Sequence, residues 1–198
     1  AEADEAMNNY VAMFEAQEQV QKASRDFQRL HSELTVGMKE YVADQKSISV
    51  KVMAKSYFIK LQDAEVITSD ALASSDVAFV QKAVNQNKKA VTHLNYAYRG
   101  LATQLPALKN VFDESVQKFT KDVGQKGGVL DKHNNYLQAK QALYVNIANL
   151  AVEVDQAMAV LDSFNVTAEE QLNSSLADAS SIYDKGLFNA IAIGVVVT

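Results

Sequence analysis

The stretch Met38-Lys-Glu-Tyr41-Val-Ala-Asp-Gln45-Lys-Ser-Ile48-Ser-Val-Lys-Val52-Met-Ala-Lys55-Ser-Tyr-Phe-Ile59-Lys-Leu-Gln62-Asp-Ala-Glu-Val66 decides the fold class. Its numbered positions follow one another at steps of three and four, the spacing that keeps side chains on one face of an α-helix, and neither Pro nor Gly interrupts it. Upstream, Met7, Val11, Phe14, Val20, Ala23, Phe27, Leu30 and Leu34 extend the same stripe with weaker members. Gly37 between the two halves reads as a break or a kink.

Downstream, Ser74-Ser-Asp76 supplies N-cap residues for a second stripe through Val77, Val80, Val84, Asn87, Val91, Leu94, Tyr98, Leu101 and Leu105. Pro106 disfavours a helical Leu105 and is tolerated in a first turn, so a helix restarts or bends there. It continues through Leu108, Phe112, Val116, Phe119 and Val123 to Gly124-Gln-Lys-Gly127-Gly128, the clearest turn in the chain. A further stripe follows through Leu130, His133, Leu137, Gln141, Tyr144, Ile147, Ala151, Val154, Met158 and Leu161. Thr167-Ala-Glu-Glu170 then has the spacing of a capping box, which predicts a last helix.

The chain is therefore all-α, with up to six helical segments bounded near Gly37, Ser74, Pro106, Gly127 and Thr167. One Pro, seven Gly and no Trp in 198 residues argue against a sheet protein with many turns. Segments of about 30 residues, at about 1.5 Å each, reach about 45 Å and do not fold into a sphere. An elongated antiparallel helical bundle accommodates them, and six segments can be arranged as two stacked four-helix bundles. An even number of passes brings the chain back to the end where it began.

Composition excludes several functions. A net charge of −5 disfavours an electrostatic hold on nucleic acid. Without Cys there is no disulfide, thiolate zinc site or cysteine nucleophile. No phosphate loop, zinc-protease helix, nucleophile elbow or calcium loop is present, and His31, His93 and His133 lie far apart. The expectation is a protein that is not an enzyme and holds neither cofactor nor metal.

Polar residues interrupt the stripes at Gln45, Lys55, Gln62, Asn87, His133 and Gln141. On a buried face each needs a partner. Such residues pair with one another, reach out to solvent along a helix edge, or line a ligand pocket. Arginine is scarce. Arg25 and Arg29, four apart, share a helix face that either carries ion pairs with Asp26 and Glu33 or reads a carboxylate beside a subunit interface. Arg99, with Tyr96 and Tyr98 beside it, either clamps an anion or closes a helix end before Gly100. The candidate ligand-binding residues are Arg25, Arg29, Lys55, Gln62, Tyr98 and Arg99.

The final residues, 186–198, form an uncharged apolar run after Lys185. A membrane-spanning helix takes about 20 apolar residues, so the run reads as the start of a span, a buried core helix or a short insertion element. The organisation expected is a helical domain over residues 1–185, followed by this apolar segment.

Three stretches are similar to the extracytoplasmic sensor domains of bacterial chemoreceptors, in particular the helical bimodular type built of six helices in two stacked four-helix bundles. Asn8-Asn-Tyr-Val-Ala-Met-Phe14 resembles the Tyr-plus-Phe helix start of those domains. Ala54-Lys-Ser-Tyr-Phe-Ile-Lys-Leu61 resembles one of their helices, with Lys55 where Arg is common. Gln171-Leu-Asn-Ser-Ser-Leu-Ala-Asp-Ala-Ser-Ser181 looks like the approach to a second membrane span. The resemblance implies recognition of a small organic acid or similar solute, dimerisation along the bundle and a helix displacement relayed to the membrane. It also implies a location on the periplasmic or extracellular face of the bacterial inner membrane, with a chemotaxis or kinase output. Two other classes fit the same pattern: a component of an α-helical pore-forming toxin, and a structural coiled-coil spacer.

Overall fold

The structure is a computed structural model that describes the backbone of residues 2–196 and the side chains of residues 3–187. Among the described residues five helices follow one another: α1 (Glu2–Ala43), α2 (Ile48–Ala73), α3 (Val77–Gln104), α4 (Leu108–Gly124) and α5 (Val129–Val196). No strand occurs among the described residues. The chain divides into two compact units, Ala1–Asn146 and Ile147–Thr198.

The first unit is an elongated antiparallel helical bundle. α1 packs on α2, α2 on α3, α3 on α4 and α4 on α1, which closes a four-helix ring. Its main core joins Phe27, Leu34 and Met38 of α1, Tyr57 and Leu61 of α2, Leu94 and Leu101 of α3, and Leu108 and Phe119 of α4. Burial of each such side chain contributes about 1.5–3 kcal/mol. Phe27 and Phe119 stack at 5.7 Å between ring centroids, and Tyr41 meets the Phe112 ring edge-on at 5.8 Å.

A second, smaller core contains Ala23 of α1, Ala71 of α2, Val80 and Ala83 of α3, and Val129, Leu130 and Leu137 of α5. Helices α1, α2 and α3 run through both cores. The fourth place is held by α4 in the first core and by the start of α5 in the second. Between the cores lies a buried polar layer, in which Asn87 Nδ2 donates to Thr68 Oγ1 at 2.9 Å and Thr68 Oγ1 donates to the Ala64 carbonyl at 2.7 Å.

The turn at residues 124–128 does not reverse the chain. α4 descends α1 from Tyr41 opposite Phe112 to Phe27 opposite Phe119, and Val129 then joins Ala23 in the second core. Four residues on, His133 Nε2 donates to the Ser74 carbonyl at 2.9 Å, still further from the first core. Five helices thus make four antiparallel passes. Within this unit, α5 leaves by the end at which α1 enters. The turn itself depends on glycine: Gly127 has φ 82°, and a Cβ at Gly128 would lie 2.0 Å from the Asp122 carbonyl oxygen.

Two expected boundaries differ in the structure. Gly37 is neither break nor kink, because α1 runs through it to Ala43; a Cβ there would lie 3.1 Å from Cε1 of Phe112, so the glycine makes room for a ring. The break falls instead at residues 44–47, where Ser47 caps α2 by accepting from the Val50 N–H. Thr167 caps nothing: α5 is continuous there, and the Thr167 hydroxyl donates back to the Ser163 carbonyl at 2.9 Å. Asp76, by contrast, is the N-cap of α3 and accepts from the Ala78 and Phe79 N–H groups.

The α2 stripe is also turned over. Ile48, Val52, Ile59 and Val66 are exposed, at 80%, 63%, 48% and 45%. The buried face is Val50, Ala54, Tyr57, Leu61, Ala64, Thr68 and Ala71. Its alanines meet the alanine-bearing face of α3 (Ala83, Ala90, Ala102), and small residues on both sides let the two helices approach closely, in the most extensive helix pairing of the bundle. On α1, Met7, Val11 and Phe14 are likewise exposed.

The second unit is the continuation of α5. Every described residue from 151 to 187 is exposed, including Met158, Leu161, Phe164, Leu172 and Ile182. Among the described residues no helix is long and apolar enough to cross a membrane. The side chains of the apolar run beyond Leu187, expected to begin a span, lie outside the described residues.

Candidate functional site

The six candidate ligand-binding residues fall in separate places. Arg25 is exposed on α1 and lines none of the hollows described below. Arg29, one turn on, is held by its own helix: Nη1 donates to Glu33 Oε1 at 2.7 Å, and Nη2 lies 3.7 Å from Asp26 Oδ1. Tyr98 and Arg99 point apart. The Tyr98 ring is buried, and its hydroxyl donates to Asp113 Oδ1 at 2.6 Å, while Arg99 is exposed over a small hollow of about 190 Å³ with Thr92, Asn95 and Tyr96. Burial, aided by the Asp113 carboxylate, raises the Tyr98 hydroxyl pKa, so it stays a donor. Lys55 and Gln62 do come together, on the exposed face of α2, in an open groove of about 500 Å³. Neither interrupts a core, because their stripe faces outward.

Of the other interrupting polar residues, Asn87 and His133 are buried and paired as described, and Gln141 is exposed. Asn87 Oδ1 and His133 Nδ1 have no hydrogen-bond partner among the described residues. Each orphaned buried group of this kind costs about 1–3 kcal/mol. Tyr57, at the centre of the first core, carries a third such group: its hydroxyl has no partner, and burial raises its pKa.

A second open hollow of about 500 Å³ lies where α1, the end of α4 and the turn before α5 meet. Its walls carry Arg29 from α1, Lys118 and Lys121 from α4 and Lys126 from the turn, against the carboxylates of Asp26 and Asp122. Lys118 Nζ holds Glu114 at 2.6 Å, and that contact lowers the Glu114 pKa. Lys121 and Lys126 make no ion pair among the described residues. Asp122 is half-buried. Burial raises its pKa, nearby Asp26 adds to the effect, and Lys132 and a hydrogen bond from the Val129 backbone oppose it. One of its oxygens, Oδ2, has no hydrogen-bond partner.

The lining of this open hollow thus carries four cations against two carboxylates, and it reaches the turn that precedes α5. Lysine ammonium groups in such a hollow can hold a small anion through charge-assisted hydrogen bonds, and Lys121 and Lys126 are the two here without an ion pair among the described residues, whereas Arg29 and Lys118 are engaged. Lysines at 118, 121 and 126 were not singled out by sequence, because exposed lysines recur along the helices α1 to α5 and these three have no distinguishing spacing. The one usable signal was their closeness to the glycine turn. Among the described residues no group of His, Asp or Glu has the arrangement to hold a metal ion.

No protein-family model, no curated protein and no solved structure matches this chain.

Proposed function

We propose that this chain is the extracytoplasmic ligand-sensing domain of a transmembrane receptor of the chemotaxis or sensor-kinase type. On this reading it binds a small organic acid at the cationic hollow between α1, α4 and the turn at residues 125–128, and passes a displacement along α5 towards the membrane. It works as a homodimer at the periplasmic or extracellular face of the bacterial inner membrane and has no catalytic step.

The observation that supports the reading is the pass count. Four antiparallel passes bring α5 out of the bundle at the end where α1 goes in, the arrangement that a domain held by two membrane segments requires. The hollow adds a route. Its lining includes Gln125, Lys126, Gly127 and Gly128, so an anion held there touches the segment that leads directly into Val129 of the second core. A ligand that binds one position of that turn better than another shifts the equilibrium between them by its difference in affinity.

A thermal-shift series with acetate, malonate, succinate and malate, and with the matching amines as controls, tests it. A ligand that binds only the folded state raises the melting temperature. The expected result is a rise with at least one acid and none with the amines, lost in the Lys121→Gln/Lys126→Gln double variant. A rise that persists in that variant removes the hollow from the assignment. No rise with any acid overturns the organic-acid reading and leaves the spacer as the better account.

A further inference from the structure

We infer that the groove between α1 and α2 is a separate ligand site, and that its occupant is an amphipathic carboxylate with a hydrocarbon or aromatic body and an anionic head. The groove has an apolar floor of Val42, Ala54, Phe58 and Ile59, with Lys51 and Lys55 at its edge, in an open volume of about 500 Å³. From α1, Lys39 places its Nζ 5.9 Å from the centroid of the Phe58 ring.

The charge balance around the floor selects the head group. Asp63, the carboxylate in the lining, accepts from Lys60 Nζ at 2.8 Å, and Glu65, two residues on, accepts from Gln62 Nε2 at 2.7 Å and from Ser69 Oγ at 2.8 Å. Lys39, Lys51 and Lys55 make no ion pair among the described residues. Lys51 and Lys55 are moreover four apart on one helix face, a spacing at which like charges destabilise the helix. An anion between their ammonium groups relieves that repulsion, and an apolar body attached to it covers Ile59, which is 48% exposed.

The same balance disfavours a protein partner. A purely apolar helix laid along Ile48, Val52, Ile59 and Val66 would bury Lys55 without a counter-charge. A second copy docked in parallel would set Lys55 against its own mate. The cationic hollow at the turn of α5 lacks an apolar floor of this kind and suits small acids, so the two sites take different classes of ligand.

The probe is 8-anilinonaphthalene-1-sulfonate, an aromatic body with an anionic head, titrated into the full chain and followed by fluorescence. It is then displaced with octanoate, octylammonium or octanol. The expected result is that the probe brightens, octanoate displaces it, and octylammonium and octanol displace it at least tenfold more weakly. Lys51→Gln/Lys55→Gln weakens octanoate about tenfold, and Ile59→Asp abolishes probe binding, with helicity by circular dichroism unchanged in both. Lys121→Gln/Lys126→Gln leaves octanoate binding unchanged, so this site stands or falls apart from the small-acid hollow. Equal displacement by octylammonium, or an unchanged affinity in the Lys51/Lys55 double variant, overturns the inference. So does a dimer by sedimentation that Ile59→Asp converts to monomer, since the face would then belong to a second copy.

Discussion

α4 and α2 stand in the same bundle and are built on opposite plans. α4 has one apolar face, and Leu108, Phe112, Val116, Phe119 and Val123 are all buried. α2 is apolar on two sides, and the bundle covers only one of them. The covered side sets three alanines of α2 (Ala54, Ala64, Ala71) among its buried residues, as α3 does with Ala83, Ala90 and Ala102, and such small residues allow a closer approach than a row of β-branched side chains like Ile48, Val52, Ile59 and Val66. Burial here follows fit between facing surfaces, and a face that carries Ile48, Val52, Ile59 and Val66 together with Lys55 and Gln62 is left outside.

The contrast is sharpened first by Phe119→Ala, which removes a ring stacked on Phe27 and is expected to cost about 3–5 kcal/mol in urea unfolding. A cost near zero would mean that the α1–α4 seam is not a core. Next, Ala64→Leu on the small face of α2 should destabilise by about 1–3 kcal/mol, despite being more hydrophobic, because it forces α2 from α3. A gain in stability would break the comparison by showing that α2 tolerates either face.

A smaller effect, confined to low pH, is expected from His31, which lies in the α1–α4 seam 6.3 Å from the Phe119 ring. Burial lowers its pKa below 6.5, although Glu65 opposes this, so the folded state favours the neutral ring. The stability tied to that preference is present above pH 6.5 and is lost as pH falls through the folded-state value. Melting temperatures of His31→Gln measured from pH 7.5 downward should therefore fall less than those of the wild type. An identical slope would remove His31 as the source. Smallest of all, Val66→Ser on the outer face of α2 should change stability by no more than about 0.5 kcal/mol. A loss above about 1 kcal/mol would mean that this face is covered in solution.

These helices also show what the sequence could and could not reveal. The buried faces of α4 and α3 were legible, because each has a single periodic face bounded by strong punctuation: Asp76 before α3, Pro106 between them, and Gly127 and Gly128 after α4; whether Pro106 breaks or bends the helix was not. α2 was misread because both of its faces satisfy the period, and hydrophobicity favours Ile and Val over the Ala, Tyr and Thr that are buried. Gly37 misled because glycine marks both chain breaks and close contacts, and only the position of Phe112 tells which. Thr167 and Glu170 have the spacing of a cap in a helix that never ends there. As for the sites, Arg29 was visible by its rarity, whereas Lys118, Lys121 and Lys126 look like any solvated lysines until the turn gathers them. Lys55 and Gln62 were singled out for interrupting a core stripe; they line a groove because that stripe faces solvent.

The polar layer of Thr68 and Asn87 has a mechanical meaning. It marks the level at which three struts of the bundle pass unbroken while the fourth is jointed by the short link of residues 125–128 between α4 and α5. A frame of this kind has its one joint between the two cores. The start of α5 gives no side chain to the first core, so a change in its packing leaves every member of that core in place.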